Sequence, residues 1–178
     1  MTLETERLTL VPCTPQQLLA LIEHPETLER LVGFPGGDEL HGFYNSDAVS
    51  PQWLAALRKD SAGEPDPWRH GFFVVHRERR SVIGAAGFKG APDGDGFVEI
   101  AYGIVPSHEG KGYATEAAAA LVRYAFDHGA RNIRAHTLPE PNASTHVLLK
   151  NGFRNVGSVV DPEDGTVWRW ERGPARSD

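Results

Sequence analysis

Apolar and polar positions alternate through residues 7–12, RLTLVP, which predicts a first strand ending at Pro12. The period then lengthens. TPQQLLALIEHPETLERLVG (residues 14–33) reads as a helix with Thr14 as N-cap and Pro15 at the first helical position. Pro25 breaks it, and Gly33 closes the second piece. Residues 34–49, FPGGDELHGFYNSDAV, read as loop. SPQWLAALRKD repeats the Ser-Pro start, with Ser50 as cap and Trp53, Leu54 and Leu57 as its apolar positions. SAGEPDPWRHG reads as a linker.

From Gly71 the texture becomes β-rich. FFVVHRE is a strand, RERR a charged turn, SVIGAAGFKG a glycine-weakened strand and APDGDG a turn. FVEIAYGIV is the next strand, stopped by Pro106. A helix runs from about Tyr113 to His128 and is closed by Gly129. NIRAHTL is a strand, and NASTHVLLKN a short helix with Asn142 as cap and Gly152 beyond its end. FRNVGSVVD and TVWRWE are two strands around an EDG turn. No internal repeat is visible. The order predicts one mixed α/β (α+β) domain over residues 1–172, with a largely antiparallel sheet and one strand–helix–strand crossover. Residues 173–178 are expected to form a disordered tail.

Composition narrows the classes. The chain has 178 residues, 40% hydrophobic and 24% charged, which fits one soluble globular domain. Net charge is −6, which argues against general nucleic-acid binding. Cys13 is the single cysteine, so no intrachain disulfide forms, and it reads as a small filler near the end of the first strand. The N-terminus lacks a secretory pattern and no apolar run reaches a membrane span, so a cytoplasmic protein without membrane attachment is expected.

The stretch SHEGKGYATEA, residues 107–117, places two glycines and a lysine directly before an alanine-rich helix. The phosphate loop G-x-x-x-x-G-K-[ST] fails here at Val105 and Gly112, and the dinucleotide fingerprint fails at Thr115. Two readings remain. One is a glycine-rich turn with no ligand. The other is an anion site, because a helix N-terminus offers free N–H groups and the positive end of its dipole. Gly110 and Gly112 would let a ligand approach that backbone, Lys111 adds charge, and a diphosphate suits the description.

The strand FVEIAYGIVP, the loop and helix start SHEGKGYATEA, and the later PNASTHVLLKNGF together resemble the GCN5-related N-acetyltransferase (GNAT) superfamily. They are most similar to its ribosomal-protein-alanine (RimJ/RimL-like) branch, and WRHGFFVVHRERRSVIGAAGFKG is similar to that branch's first half-sheet. The resemblance is strong from Trp68 to Phe153 and weak over the first sixty residues, where the family places its substrate-selecting helices. It implies a splayed, mostly antiparallel sheet of six or seven strands flanked by helices. It also implies an acetyl-CoA cosubstrate, whose pyrophosphate lies on the loop. The matching residues are Glu109, Gly112 and Ala114, with Gly110, Lys111 and Tyr113 between them; Thr115 follows as a further cofactor position, and His108 flanks the loop as a candidate cofactor contact. Glu109 stands where the family carries Gln, Arg or a bulky residue, so its side chain is expected to point away. The strand after Glu99 is expected to part from NIRAHTL, leaving backbone N–H groups near Ile104 and Val105 for the thioester, with a possible bulge at Gly103.

Acetyl transfer to an amine requires loss of a proton, donors for the oxyanion and help for the leaving thiolate. Alternation in FVEIAYGIV sets Val98, Ile100, Tyr102 and Ile104 on one face as core. Phe97, Glu99, Ala101 and Gly103 share the other, with room beside Glu99. The resemblance maps the family's catalytic or water-positioning glutamate to Glu99; the alternative is a solvated glutamate or an ion-pair partner. It maps the branch's serine to Ser144, as acid toward the thiolate, against a plain first-turn serine. The tyrosine of other members falls at Leu148 and is absent. The family's cofactor-contacting asparagine falls at Pro141, so Asn142 is read as both cap and cofactor contact.

No metal-ligating spacing occurs among the eight histidines, which read as scattered. Trp53 and Trp68 read as core packing, and Trp168 and Trp170 as facing one way. The expected reaction is direct transfer of acetyl from acetyl-CoA to a primary amine in a ternary complex. The acceptor is a protein or peptide N-terminus or a small amine, and a homodimer is plausible from the family. The rival reading is a non-catalytic acyl-CoA-binding module of the same fold.

Overall fold

The computed structural model describes residues 1–44 and 50–175. Its core begins with the first alternating segment: Leu8 and Leu10 of strand β2 (Leu8–Pro12) are fully buried. A two-residue strand, β1 (Leu3–Glu4), pairs with β2 and was not expected from the pattern. The remaining strands are β3 (Phe72–His76), β4 (Ser81–Phe88), β5 (Phe97–Ile104), β6 (Asn132–Thr137), β7 (Arg154–Asp161) and β8 (Gly165–Arg172). They form one sheet of eight, in the order β1-β2-β3-β4-β5-β6-β8-β7. All neighbouring pairs are antiparallel except β5 and β6, which are joined by the predicted crossover.

Helices cover both faces. On one lies α6 (Tyr113–Asp127), whose Ala117, Ala120, Leu121, Tyr124 and Ala125 are buried. Small alanines let this helix approach the sheet closely, while Tyr124 supplies bulk against Phe72 and Phe88. The other face carries α1 (Pro15–Glu23), α2 (Leu28–Val32), α3 (Gly37–Tyr44) and α4 (Pro51–Lys59). A short α7 (Ala143–Lys150) packs on α6. Asn151 ties the two together: its side chain donates to the Thr115 carbonyl (3.2 Å) and the Val147 carbonyl (3.0 Å).

Local chemistry sets most boundaries. Thr14 caps α1 in a full capping box, accepting from the Gln17 N–H (3.1 Å) while Gln17 Oε1 accepts from the Thr14 N–H (3.0 Å). A 3₁₀ turn at Pro25–Thr27 interrupts the helix, and Gly33 ends α2 at φ 88°. Thr14→Ala is expected to cost about 1 kcal/mol of stability, read as a lower denaturant midpoint at unchanged slope.

Two segments differ from expectation. Residues 37–44 are helical, not loop, and residues 45–49 lie outside the described residues. Two glycines and an Asp-Glu pair disguised the segment, but Leu40 is fully buried and anchors it. The expected linker contains a single helical turn, α5 (Pro67–His70), capped by Asp66. Its Trp68 packs on Phe88 and Tyr124, with ring centroids 4.7 and 5.3 Å apart. Of the expected tail, residues 176–178 lie outside the described residues.

The sheet parts at one place. β5 pairs with β6 only through Phe97↔Asn132, Val98↔Ile133 and Glu99↔Arg134. β5 then stays on β4 as far as Gly84↔Ile104, while β6 stays on β8 as far as Thr137↔Trp168. The gap opens beyond Glu99. It needs no bulge at Gly103: the β4–β5 register runs unbroken through Ala85↔Gly103.

Candidate active site

The loop before α6 has the form its glycines predict. Gly110 and Gly112 stand at φ 75° and 83°, in the left-handed region that other residues enter at a cost. Gly112 is the N-cap of α6 and has no side-chain cap. The first N–H groups of the helix, at Tyr113, Ala114 and Thr115, therefore face outward without an intrahelical acceptor. A Cβ at Gly110 would meet nothing within 4 Å, so this side of the loop is open. Glu109, Gly110, Lys111 and Gly112 are exposed.

Sequence reasoning missed Arg7. Its guanidinium donates to the Lys111 carbonyl (2.9 Å), pairs with Glu116 (3.4 Å) and lies 4.4 Å from the Tyr113 ring centre. It clamps the loop from the bend between β1 and β2, far away in the chain, which no local signal could have shown. Arg7→Met is expected to weaken acetyl-CoA binding by up to about fivefold, the scale of an exposed pair. Calorimetry reads the change.

Tyr113 is buried, and its hydroxyl bonds to His76 Nε2 (2.9 Å). It contributes backbone to the loop rather than a contacting ring. His108 stands beside it. Ser107 Oγ donates to Glu39 (2.5 Å), so it accepts from His108 Nδ1 (2.9 Å). His108 Nε2 is then a bare acceptor, buried and without a partner. Burial, then the charges of Lys111 and Arg79, lower its pKa, so the ring is neutral near pH 7.

The gap beyond Glu99 has its own donors. Val105 N–H is spent on the Ile83 carbonyl (2.8 Å) and Lys89 N–H on the Glu99 carbonyl (2.9 Å). Antiparallel alternation therefore turns the odd-numbered amides of β5 toward β4 and those of Tyr102 and Ile104 toward the departing β6. The Val105 amide is thus already paired within the sheet, while that of Ile104 faces the gap.

Val98, Ile100 and Ile104 are buried as expected, but Tyr102 is only half-buried. Its hydroxyl lies 3.4 Å from the Ser144 carbonyl, the donor being Tyr102. Burial pushes its pKa up to about 12, against the opposing hydrogen bond at Ser144. It is a proton-bearing donor at neutral pH. Ser144 is exposed in the first turn of α7. The cap of that helix is Asn142, whose Oδ1 accepts from Thr145 N–H (3.0 Å).

Glu99 is held in a line of charge. Lys89 Nζ lies 2.9 Å from its Oε2, and His136 Nδ1 contacts its Oε1. Arg169 Nε donates to His136 Nε2 (3.3 Å). An arginine cannot accept, so Nδ1 carries the imidazole proton and gives it to Glu99. The carboxylate is 14% exposed. Burial lowers the pKa of Lys89, but the bond and charge of Glu99, with Asp161 and Asp164, raise it more. His136 reads as one of several scattered histidines in sequence; the parallel register Glu99↔Arg134 puts it on the Glu99 face.

That face adjoins a cavity of about 860 Å³ bounded by α3, α4, α5, β4 and β5. Trp53 lines it while also packing against the core, as expected, and Trp68 packs against the core likewise. Cys13 is buried as expected, and burial raises its thiol pKa well above the usual range. Trp170 is buried with its indole N–H on Thr137 Oγ1 (3.0 Å). Among the described residues no helix is long and apolar enough to cross a membrane, and no group of three or more His, Cys, Asp or Glu is arranged to hold a metal.

Comparison with known proteins agrees with this geometry. Residues 7–154 match the family model described as "Acetyltransferase (GNAT) domain". The chain is 30% identical over 159 residues to the uncharacterized N-acetyltransferase YoaA of Bacillus subtilis, covering 87% of this chain and 84% of that one. It superposes on RimL, a ribosomal-protein alpha-N-acetyltransferase solved with coenzyme A, at TM-score 0.67 and 15% identity, covering 97% of this chain and 98% of that one. A putative ribosomal-protein-serine acetyltransferase from Vibrio cholerae aligns at TM-score 0.66 and 18% identity, covering 98% of both chains. At such identities the two structures show the fold.

Proposed function

The chain belongs to the GNAT acetyltransferase family and is an acetyltransferase, and from that premise we propose that it moves acetyl from acetyl-CoA to a primary amine by direct transfer in a ternary complex. The observation that carries the reading is the alignment of three features along β5 and its sequel. A carboxylate lies at Glu99, outward-turned amides follow at Tyr102 and Ile104, and an uncapped helix N-terminus comes next at Gly112.

In this reading the pyrophosphate lies on the N–H groups from Gly110 to Thr115, with Lys111 and Arg7 supplying charge. His108 stands beside Tyr113 beneath the loop, its Nε2 buried away from the cofactor, and Asn142 flanks the cofactor. The pantetheine arm enters the gap between β5 and β6. The Tyr102 and Ile104 amides face the thioester oxygen, where negative charge develops. The ammonium gives a proton to Glu99, directly or through water. Its nitrogen attacks the thioester carbon, the C–N bond forms, the C–S bond breaks, and the thiolate leaves. A thiolate is a stable leaving group, so a hydrogen bond from the Ser144 hydroxyl suffices.

His136 keeps Glu99 oriented, and its remaining nitrogen is locked by Arg169. Direct transfer is supported because the single cysteine, Cys13, is buried with a raised pKa and offers no thiolate for a covalent intermediate. The test is acetyl-CoA titration by calorimetry, followed by release of free CoA thiol with a panel of amines and peptides. Saturable binding and amine-dependent thiol release are expected. Absence of binding, or thiol release indifferent to amine, overturns the reading.

A further inference from the structure

We infer that the acceptor is a free α-amino acid with an apolar side chain. The inference rests on the reading of Glu99 as the proton acceptor and names the substrate of that same site. Two observations carry it. The first is the ion pair between Lys89 and Glu99 at the edge of the cavity, 2.9 Å between Nζ and Oε2. The second is the cavity's lining. Phe43, Trp53, Leu57, Phe72 and Phe88 give it an apolar, aromatic wall, and the small residues of β4 and β5 leave it open. Among the described residues its lining carries the basic side chains Arg69, His70 and Lys89 and the Tyr102 phenol, and Arg69 is paired with Asp60 (3.7 Å). His70 has its pKa lowered, first by burial, so it is a neutral ring near pH 7.

An incoming ammonium takes the place of Lys89 on Glu99. Lys89 then needs an anion, and a carboxylate on the carbon next to the amine delivers one where Glu99 was. A free amino acid thus exchanges partners with the ion pair, acid to ammonium and lysine to carboxylate, while its side chain enters the apolar cavity. A polyamine or lysine side chain meets like charge at Lys89 and no acid among the described lining residues. A peptide N-terminus carries an amide where the carboxylate should be. The net acidity of the chain suggests cationic acceptors, but Glu99 is already matched by Lys89, so an acceptor that brings its own carboxylate keeps both members of the pair partnered.

The transfer balances: the ammonium gives one proton to Glu99, the N–C bond forms, and as the C–S bond breaks the second proton leaves the nitrogen and CoA departs as thiol. The N-acetyl product has lost its positive charge, so Glu99 no longer holds it and Lys89 can return.

The test measures CoA thiol release with L-phenylalanine, L-phenylalaninamide, 2-phenylethylamine, an alanine-initiated peptide and spermidine. The expected kcat/KM for L-phenylalanine exceeds that of its amide by roughly tenfold, the order that one charge-assisted hydrogen bond supplies. Lys89→Met abolishes that preference by lowering only the acid, and Lys89→Arg, which keeps the cation, retains it. A preference for the amide, the peptide or spermidine overturns the inference while leaving acetyl transfer intact. So does an equal loss with every acceptor in Lys89→Met. Thiol release with none of them overturns both.

Discussion

Glu99→Gln lowers kcat by about 10²–10⁴-fold, the range of a lost general base, with acetyl-CoA affinity unchanged. The substitution keeps the shape of the side chain and removes its charge. Acetyl-CoA binding depends on the loop and on the start of α6, neither of which touches Glu99, so calorimetry separates the two roles. Steady-state thiol release gives kcat, and the thermal midpoint guards against a folding effect. Lys89 and His136 both lose an anion in this variant, so a modest loss of stability is expected too. A fall in midpoint with no fall in kcat would leave Glu99 as an ion-pair partner, and the base would have to be sought elsewhere along the cavity.

Gly112→Glu is expected to weaken acetyl-CoA binding at least about 100-fold. Two costs add. The first is conformational: φ 83° is left-handed, which costs a side-chain-bearing residue about 1–2 kcal/mol. The second is electrostatic. A carboxylate held near a phosphate in a partly solvated site repels it by up to about 4 kcal/mol. The new Cβ would also sit 3.3 Å from the Arg7 guanidinium, disturbing the clamp on Lys111. Gly112→Ala carries the first cost without the charge, and about tenfold weaker binding is expected. If Gly112→Glu binds acetyl-CoA like the wild type, the loop is a glycine-rich turn and the pyrophosphate lies elsewhere.

The two variants bear on residues whose chemistry is local, and local chemistry is what a single sequence shows well. Thr14, Pro15, Pro25 and Gly33 act through hydrogen bonds and torsions within a few residues, so the helix and its interruption were legible. The same holds for Gly110, Gly112 and the start of α6, and for the alternation that put Glu99 opposite Val98 and Ile100. Where local signals were misleading, tertiary burial overrode them. Leu40 draws a glycine-containing segment into a helix by filling the core, and Trp68 does the same for one turn of an apparent linker.

The surroundings of Glu99 belong to a different kind of information. Lys89 follows the end of β4, His136 lies on β6 and Arg169 on β8, and their meeting depends on register across β4, β5, β6 and β8. The same registers decide that Val105 spends its amide on Ile83 while Tyr102 and Ile104 turn toward the gap. Arg7 reaches the loop across more than a hundred residues of chain. By itself the sequence determined the order of elements, the glycine loop with its free helix end, and the carboxylate on β5, because each follows from torsions and periodicity within one segment. Only the tertiary structure decided which charges flank that carboxylate, which amides are free and where the sheet opens. Those outcomes depend on the pairing of distant strands, and a one-residue shift would send every side chain to the opposite face.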